Sequence, residues 1–331
     1  MAAKQNVRPV KLFVFMEGTS NPMDMVTTQI ALFSRYVLAQ TLNEDAVELP
    51  GGPKPGEYKL SFAGCGVTNG IAGVIFAHGL KDQCLIIRRY LEAFLDAGLT
   101  VKLVFVGLSR GGIGGAYLAQ ELRDFQLAQV ELNMLLFDPV PGNFIWISRW
   151  LDFPSVSNTN QAMDMTFAQN LGRVLVLYPH EPLPAIAVHA PLIYKFPDNC
   201  DLEEDVILGC HQGALFLRPQ ADTCLSFARI RDYLKQCGAT FDDSVYQAQA
   251  LDVTERKLLD LLDRELRRVY PTNRQTHAWQ PDTEIVRYPR GRFLNRSHQA
   301  LAHRLGMAAP PDADPQTPMF MLDCDLFQAT K

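Results

Sequence analysis

The sequence predicts an α/β chain, with a mainly parallel sheet covered by helices on both faces. Three observations lead there. Compact apolar runs recur along the 331 residues without polar–apolar alternation, as expected of strands buried on both faces. Stretches with helical periodicity separate them, the pattern of strand–helix–strand units. Glycine or proline punctuates the boundaries, where the chain must turn.

The elements follow in order. Residues 11–16 (Lys-Leu-Phe-Val-Phe-Met) read as a buried strand that ends in the turn Gly18-Thr19-Ser20-Asn21-Pro22. Helical periodicity spans 25–42, and 58–63 reads as a second strand that opens into the glycine-rich stretch 64–73. Over 81–97, Leu85, Ile86, Tyr90, Leu91, Phe94 and Leu95 recur at helical spacing, with Gly98 as the stop. Buried strands are expected at 101–106, 133–137 and 174–178, leading into Ser109, Asp138 and a proline-rich loop respectively. A shorter strand at 206–208 stops at Gly209-Cys210-His211. Helices are expected over 112–125 and 222–237.

Two segments stand apart. Residues 142–171 read as an insertion after the Asp138 strand. Its first half is apolar, with Phe144, Trp146, Trp150 and Phe153, and a Ser/Asn/Thr-rich stretch follows. Beyond residue 250 an amphipathic helix is expected over 254–269, capped by Thr254 and stopped by Pro271. The rest shows no period. The expected organisation is therefore an α/β domain over 1–250, with 142–171 as a lid or insertion, and a helical and irregular extension over 251–331.

Composition narrows the class of function. A formal net charge of −5 gives no electrostatic case for nucleic acid as the main partner. The seven cysteines include no Cys-x-x-Cys pair, so neither a structural zinc site nor a disulfide framework is signalled, and reduced thiols are expected. No metal or organic cofactor is implied. The N-terminus lacks a signal-peptide pattern, and no apolar run approaches the roughly 20 residues that cross a bilayer. The expected location is the cytoplasm, or outside the cell by a route that reads no N-terminal signal peptide.

The chemistry-bearing motif is Gly107-Leu108-Ser109-Arg110-Gly111. An apolar strand runs into it and a Gly/Ala-rich helix leaves it, which is the setting of a nucleophile elbow. The turn must lift the serine hydroxyl above the sheet edge, so strained backbone angles are expected at Ser109, and the flanking glycines avoid clashes. The helix starting near Arg110 aims its first N–H groups at charge developing beside Ser109. Asp138 ends the next strand, and His211 follows a later one. The chain order Ser109, Asp138, His211 is that of an α/β-hydrolase triad. Glu181, after the 174–178 strand, is the alternative acid.

These motifs resemble those of a bacterial α/β-hydrolase domain family that includes phospholipase effectors of type VI secretion. Glu17-Gly18-Thr19-Ser20-Asn21 stands where that family has Asp-Gly-Thr-x-Asn. Gly107 to Gly112 matches its Gly-Phe-Ser-Arg-Gly-Ala, Phe137 to Val140 its Phe-Asp-x-Val, and Gly209 to His211 its Gly-x-His. The likeness covers about residues 11–216. It departs at Glu17, and at Gln212-Gly213-Ala214 in place of Ser-Asp-Val-Gly.

The resemblance implies an α/β-hydrolase fold and a serine ester hydrolase. It implies an oxyanion hole formed by the Arg110 N–H with a second donor from the Gly18-Thr19 loop. It favours a lipid or phospholipid substrate, to which the aromatic residues Phe144, Trp146, Trp150 and Phe153 would add an acyl or peripheral membrane contact. Packed core is the other reading of those rings. Arg287, Arg290, Arg292 and Arg296 form a basic run that suits lipid phosphates or a solvated face. A thioesterase or protein deacylase is the nearest alternative activity. In a different class stands a catalytically silent hydrolase-like effector that binds a partner protein.

Overall fold

A computed structural model describes residues 9–18, 21–24, 26–64, 79–139, 164–181, 194–210, 217 and 221–242. Among them run seven strands: β1 (Val10–Met16), β2 (Gln40–Thr41), β3 (Glu57–Phe62), β4 (Val101–Leu108), β5 (Val130–Phe137), β6 (Leu171–Glu181) and β7 (Asp201–Cys210). The helices are α1 (Gln29–Tyr36), α2 (Leu80–Asp96), α3 (Arg110–Glu121) and α4 (Ala221–Gln236). The strands form one sheet in the order β2-β3-β1-β4-β5-β6-β7, and every neighbouring pair is parallel.

The side-chain period of two explains the layering. Leu12, Val14 and Met16 of β1 point into a core shared with Cys84, Ile87, Tyr90, Leu91 and Phe94 of α2 and with Ile113, Ala116 and Leu118 of α3. Phe13 and Phe15 point the opposite way, into a core with Ile30, Phe33 and Tyr36 of α1 and Phe227, Ile230 and Tyr233 of α4. Stacked Phe33 and Phe227 rings, 4.8 Å between centroids, join the two helices on that face. Both faces of the central strands are therefore dry, which is why their sequences read as unbroken apolar runs.

Three boundaries differ from the sequence expectations. The helix expected over 25–42 is confined to α1. Thr28, in extended conformation, caps it by accepting from the Ala31 N–H, and Val37 leaves it extended. The chain then turns back as β2 beside β3. Strands β6 and β7 run longer than the 174–178 and 206–208 expected. Pairing with β6 carries β7 from Asp201 onward despite Asp201, Glu203 and Glu204, whose charges suit an exposed sheet edge. The end of the expected insertion is core: Met165, Ala168 and Leu171 are fully buried, and Leu171 opens β6. The earlier part of the insertion and the extension beyond residue 250 lie outside the described residues.

Parallel strand order reverses at β1, whose neighbours are β3 on one side and β4 on the other. The carboxyl ends of β1 and β4 thus flank the switch point, where open α/β sheets place their ligand crevice. Glu17 and Gly18 follow β1 there, and Ser109 follows β4.

Candidate active site

Ser109 joins β4 to α3 with φ 55° and ψ −119°, a conformation that L side chains rarely adopt. The strain is enforced from all sides. Its N–H donates to the Phe137 carbonyl at 2.9 Å, which locks the turn to the end of β5. Its carbonyl accepts from the Ile113 N–H at 3.3 Å, the first turn of α3. A Cβ on Gly107 would meet the Gly111 carbonyl oxygen at 2.4 Å, and one on Gly111 would meet the Met16 carbonyl oxygen at 2.3 Å. No side chain fits at either place, so Gly-x-Ser-x-Gly is a packing requirement of this turn. Sharp strand–turn–helix geometry of this kind defines a nucleophile elbow.

Arg110 is the first residue of α3. The leading N–H groups of a helix receive no intrahelical carbonyl and favour negative charge. Gly18 closes the other side: a Cβ placed on it would lie 3.3 Å from the Ser109 Cβ. The Gly18 N–H donates to Glu17 Oε2 at 3.2 Å. Thr19, the other expected donor of this loop, lies outside the described residues.

Asp138 sits one residue past β5, buried, at φ 40°, a left-handed conformation that aspartate tolerates better than most residues. Its N–H donates to the Leu177 carbonyl of β6 at 2.8 Å. Pro139 packs on the elbow helix, since a Cβ on Gly112 would meet its Cβ at 3.0 Å. Serine and aspartate therefore stand at the ends of adjacent strands, at one level of the sheet.

Glu181 is placed differently. It is the last residue of β6, rather than one that follows the strand, and it pairs with Cys210. Leu177, which pairs with Phe137, marks the level of the elbow. Glu181 lies four residues beyond it, about 13 Å along a strand rising ~3.3 Å per residue. His211 directly follows Cys210, and with Phe144, Trp146, Trp150 and Phe153 it lies outside the described residues. Among the described residues, no group of three or more His, Cys, Asp or Glu side chains is arranged to hold a metal ion, and no helix is long and apolar enough to cross a membrane.

Two buried groups near the elbow escaped the sequence reading. Tyr178, one residue beyond Leu177 on β6, donates to Glu204 at 3.4 Å. Burial, followed by Glu204 and Tyr194, holds its phenol well above the ordinary range, so it stays neutral. Glu17 is the more consequential. Its carboxyl group is buried and accepts from the Gly18 N–H, the Thr28 hydroxyl and the Ala31 N–H. Burial outweighs these donors and lifts its pKa to about 7. In the sequence its only mark was a glutamate standing where the resembled family carries aspartate.

Comparison with known proteins adds fold likeness alone. No family model matches the chain, and no curated protein does. Among solved structures, the Tle1 effector bound to the VgrG spike of a type VI secretion system aligns over 63% of this chain and 51% of its own, at 13% identity and a TM-score of 0.37. An uncharacterised protein from Pseudomonas aeruginosa aligns over 81% of this chain and 55% of its own, at 11% identity and a TM-score of 0.49. Est1E from Butyrivibrio proteoclasticus covers 71% of this chain and 90% of its own, at 15% identity and a TM-score of 0.37. The chain thus spans about half the length of the first two. At such scores the fold is defined by the chain's own features: a parallel sheet with helices on both faces and a serine elbow at its switch point. That is an α/β-hydrolase fold.

Proposed function

We propose that this protein is a serine hydrolase that cleaves a carboxylic ester through an acyl-enzyme, with Ser109 as nucleophile, His211 as base and Asp138 as the acid. The observation that carries the proposal is the backbone of Ser109. A non-glycine residue held at φ 55° between a buried strand and a helix N-terminus is a strained state that a merely connecting turn does not need.

The roles follow from the chemistry. The Ser109 Oγ attacks the ester carbonyl while His211 takes its proton; His211 then returns that proton to the departing alcohol. Water, deprotonated by the same imidazole, attacks the acyl-enzyme; the acyl–Oγ bond breaks as the imidazole passes that proton to Ser109, and the carboxylic acid leaves. Charge on the carbonyl oxygen is met by the Arg110 N–H and by a donor from the Gly18-Thr19 loop, each worth roughly 3 kcal/mol to the transition state. Asp138 fixes the imidazole tautomer. Its burial and its place one strand from Ser109 support this choice. The pairing of Glu181 with Cys210 supports the alternative acid, because it sets that residue beside the one preceding His211.

The proposed substrate is a lipid or phospholipid ester, with Phe144, Trp146, Trp150 and Phe153 of the insertion over its acyl chain or at a membrane surface. Burying part of ~150–250 Å² per ring at about 25 cal/mol per Å² would amount to a few kcal/mol. A panel of short and long acyl esters, phospholipids and acyl-thioesters, run on the wild type and Ser109→Ala, tests the proposal. Ester turnover that vanishes in the variant supports it; preference for thioesters selects the thioesterase or deacylase reading. Turnover of nothing by a folded wild type leaves the silent effector, bound to a partner protein.

A further inference from the structure

We propose that Glu17 is a positioning residue for the Ser109 centre: its buried carboxyl group fixes the Gly18 backbone against the elbow and ties it to the start of helix α1. The proposal rests on the reading of Ser109 as nucleophile.

Glu17 joins β3, the elbow helix α3 and helix α1 at the switch point. Its N–H donates to the Phe62 carbonyl of β3 at 3.1 Å, and its own carbonyl oxygen would lie 2.7 Å from a Cβ on Gly111 of the elbow helix. Its Oε1 accepts from the Thr28 hydroxyl and, at 3.0 Å, from the Ala31 N–H of α1, while Oε2 accepts from Gly18. Capping alone does not explain the arrangement, because Thr28 already accepts from Ala31 at 3.1 Å. The distinct contribution is the bond to Gly18.

Gly18 needs such a tether. Glycine is the residue whose peptide plane turns most freely, and this one is in contact with the nucleophile. The Gly18 carbonyl is held by the Asn21 N–H at 3.1 Å and pressed by Gly64, where a Cβ would come within 1.7 Å of it. Glu17 holds the other end, the N–H. With both ends fixed, the Gly18 backbone keeps one orientation relative to Ser109. Misplacement by about 1 Å at a reacting centre typically lowers rate by about 10²-fold.

The experiment compares wild type, Glu17→Ala and Glu17→Gln on a short soluble ester, with hydrogen exchange of the Gly18 amide followed in each. The glutamine keeps an oxygen to accept from Gly18. The expected result for Glu17→Ala is a kcat lower by about 10²-fold, a KM within about threefold of wild type and faster exchange at Gly18. Glu17→Gln is expected to stay within a few-fold of wild type in kcat. Should Glu17→Ala fail to fold, Glu17→Met supplies similar bulk without the acceptor and carries the same expectation. Unchanged kcat in the alanine or methionine variant, with turnover still dependent on Ser109, overturns the positioning role and leaves the nucleophile standing. Parallel losses in Glu17→Ala and Glu17→Gln, with a lowered melting temperature, overturn it in favour of a purely structural role. A wild type inert to every ester and to a fluorophosphonate overturns the nucleophile reading, and the proposal with it.

Discussion

Replacing Ser109 by glycine should stabilise the protein relative to replacing it by alanine, while both variants lose activity. Ser109 occupies φ 55° and ψ −119°, where its Cβ is strained against the backbone. A non-glycine residue in such a region stores roughly 1–3 kcal/mol. Alanine keeps the Cβ and therefore the strain; glycine removes both. Against this, glycine loses about 0.5–1 kcal/mol more than alanine in backbone entropy on folding. The net advantage of Ser109→Gly over Ser109→Ala is thus about 1 kcal/mol, or roughly 2 °C in Tm for a chain of this size. In packing the two variants differ by a single buried methyl group beside Gly18. Urea unfolding of the three proteins under identical conditions, with equal m values, measures the difference directly. If Ser109→Gly is the less stable variant by about 1 kcal/mol, as at an ordinary position, the turn holds no strain. The elbow then has no physical basis.

Other outcomes follow from the same geometry. Gly111→Ala places a Cβ 2.3 Å from the Met16 carbonyl oxygen, so unfolding should show a loss of about 1–3 kcal/mol and ester turnover should fall with it. The elevated pKa of Glu17 makes the folded state hold a proton that the unfolded chain releases between about pH 4.5 and 7. Its contribution to stability is therefore present at the acid end and lost as pH rises through that window, by up to about 3 kcal/mol. Glu17→Gln should flatten the slope in urea titrations at pH 5 and pH 8. Equal slopes in both proteins would show that Glu17 ionises at its ordinary pKa. Asp138→Asn should lower kcat by on the order of 10⁴-fold if Asp138 sets the His211 tautomer. A mild effect there beside a crippling Glu181→Gln would transfer the role to the end of β6.

Much of the fold was legible because burial on both faces leaves a plain mark. Strands β1, β4 and β5 appear in the sequence as apolar runs, which end at Glu17-Gly18, Ser109 and Asp138 respectively. Edge position erases that mark in β7: with one neighbour among the described residues and a solvated side, Asp201, Glu203 and Glu204 can belong to a strand without reading as one. The helix expected over 25–42 was too long because Val26, Leu38 and Leu42 continue the apolar spacing of α1. The hydroxyl of Thr28 and the extended backbone of Val37 override it. In the candidate site, Ser109 and its glycines were readable because their spacing is dictated by clashes within a few residues of chain. Glu17 was not, because its partners at Thr28 and Ala31 and its contact with the elbow exist only once β1 and β4 lie side by side.

The central claim is that the turn at residue 109 presents a serine that a neighbouring base activates. A fluorophosphonate tests it most directly, since it bonds to an activated serine hydroxyl and to little else. Incubation of the full chain, followed by proteolysis and mass mapping, reads out both the extent and the position of the adduct. The expected result is one adduct per chain, on Ser109, blocked by prior incubation with a slow ester substrate and absent from Ser109→Ala. A folded wild type that takes up no label, or an adduct on any residue other than Ser109, would contradict the account.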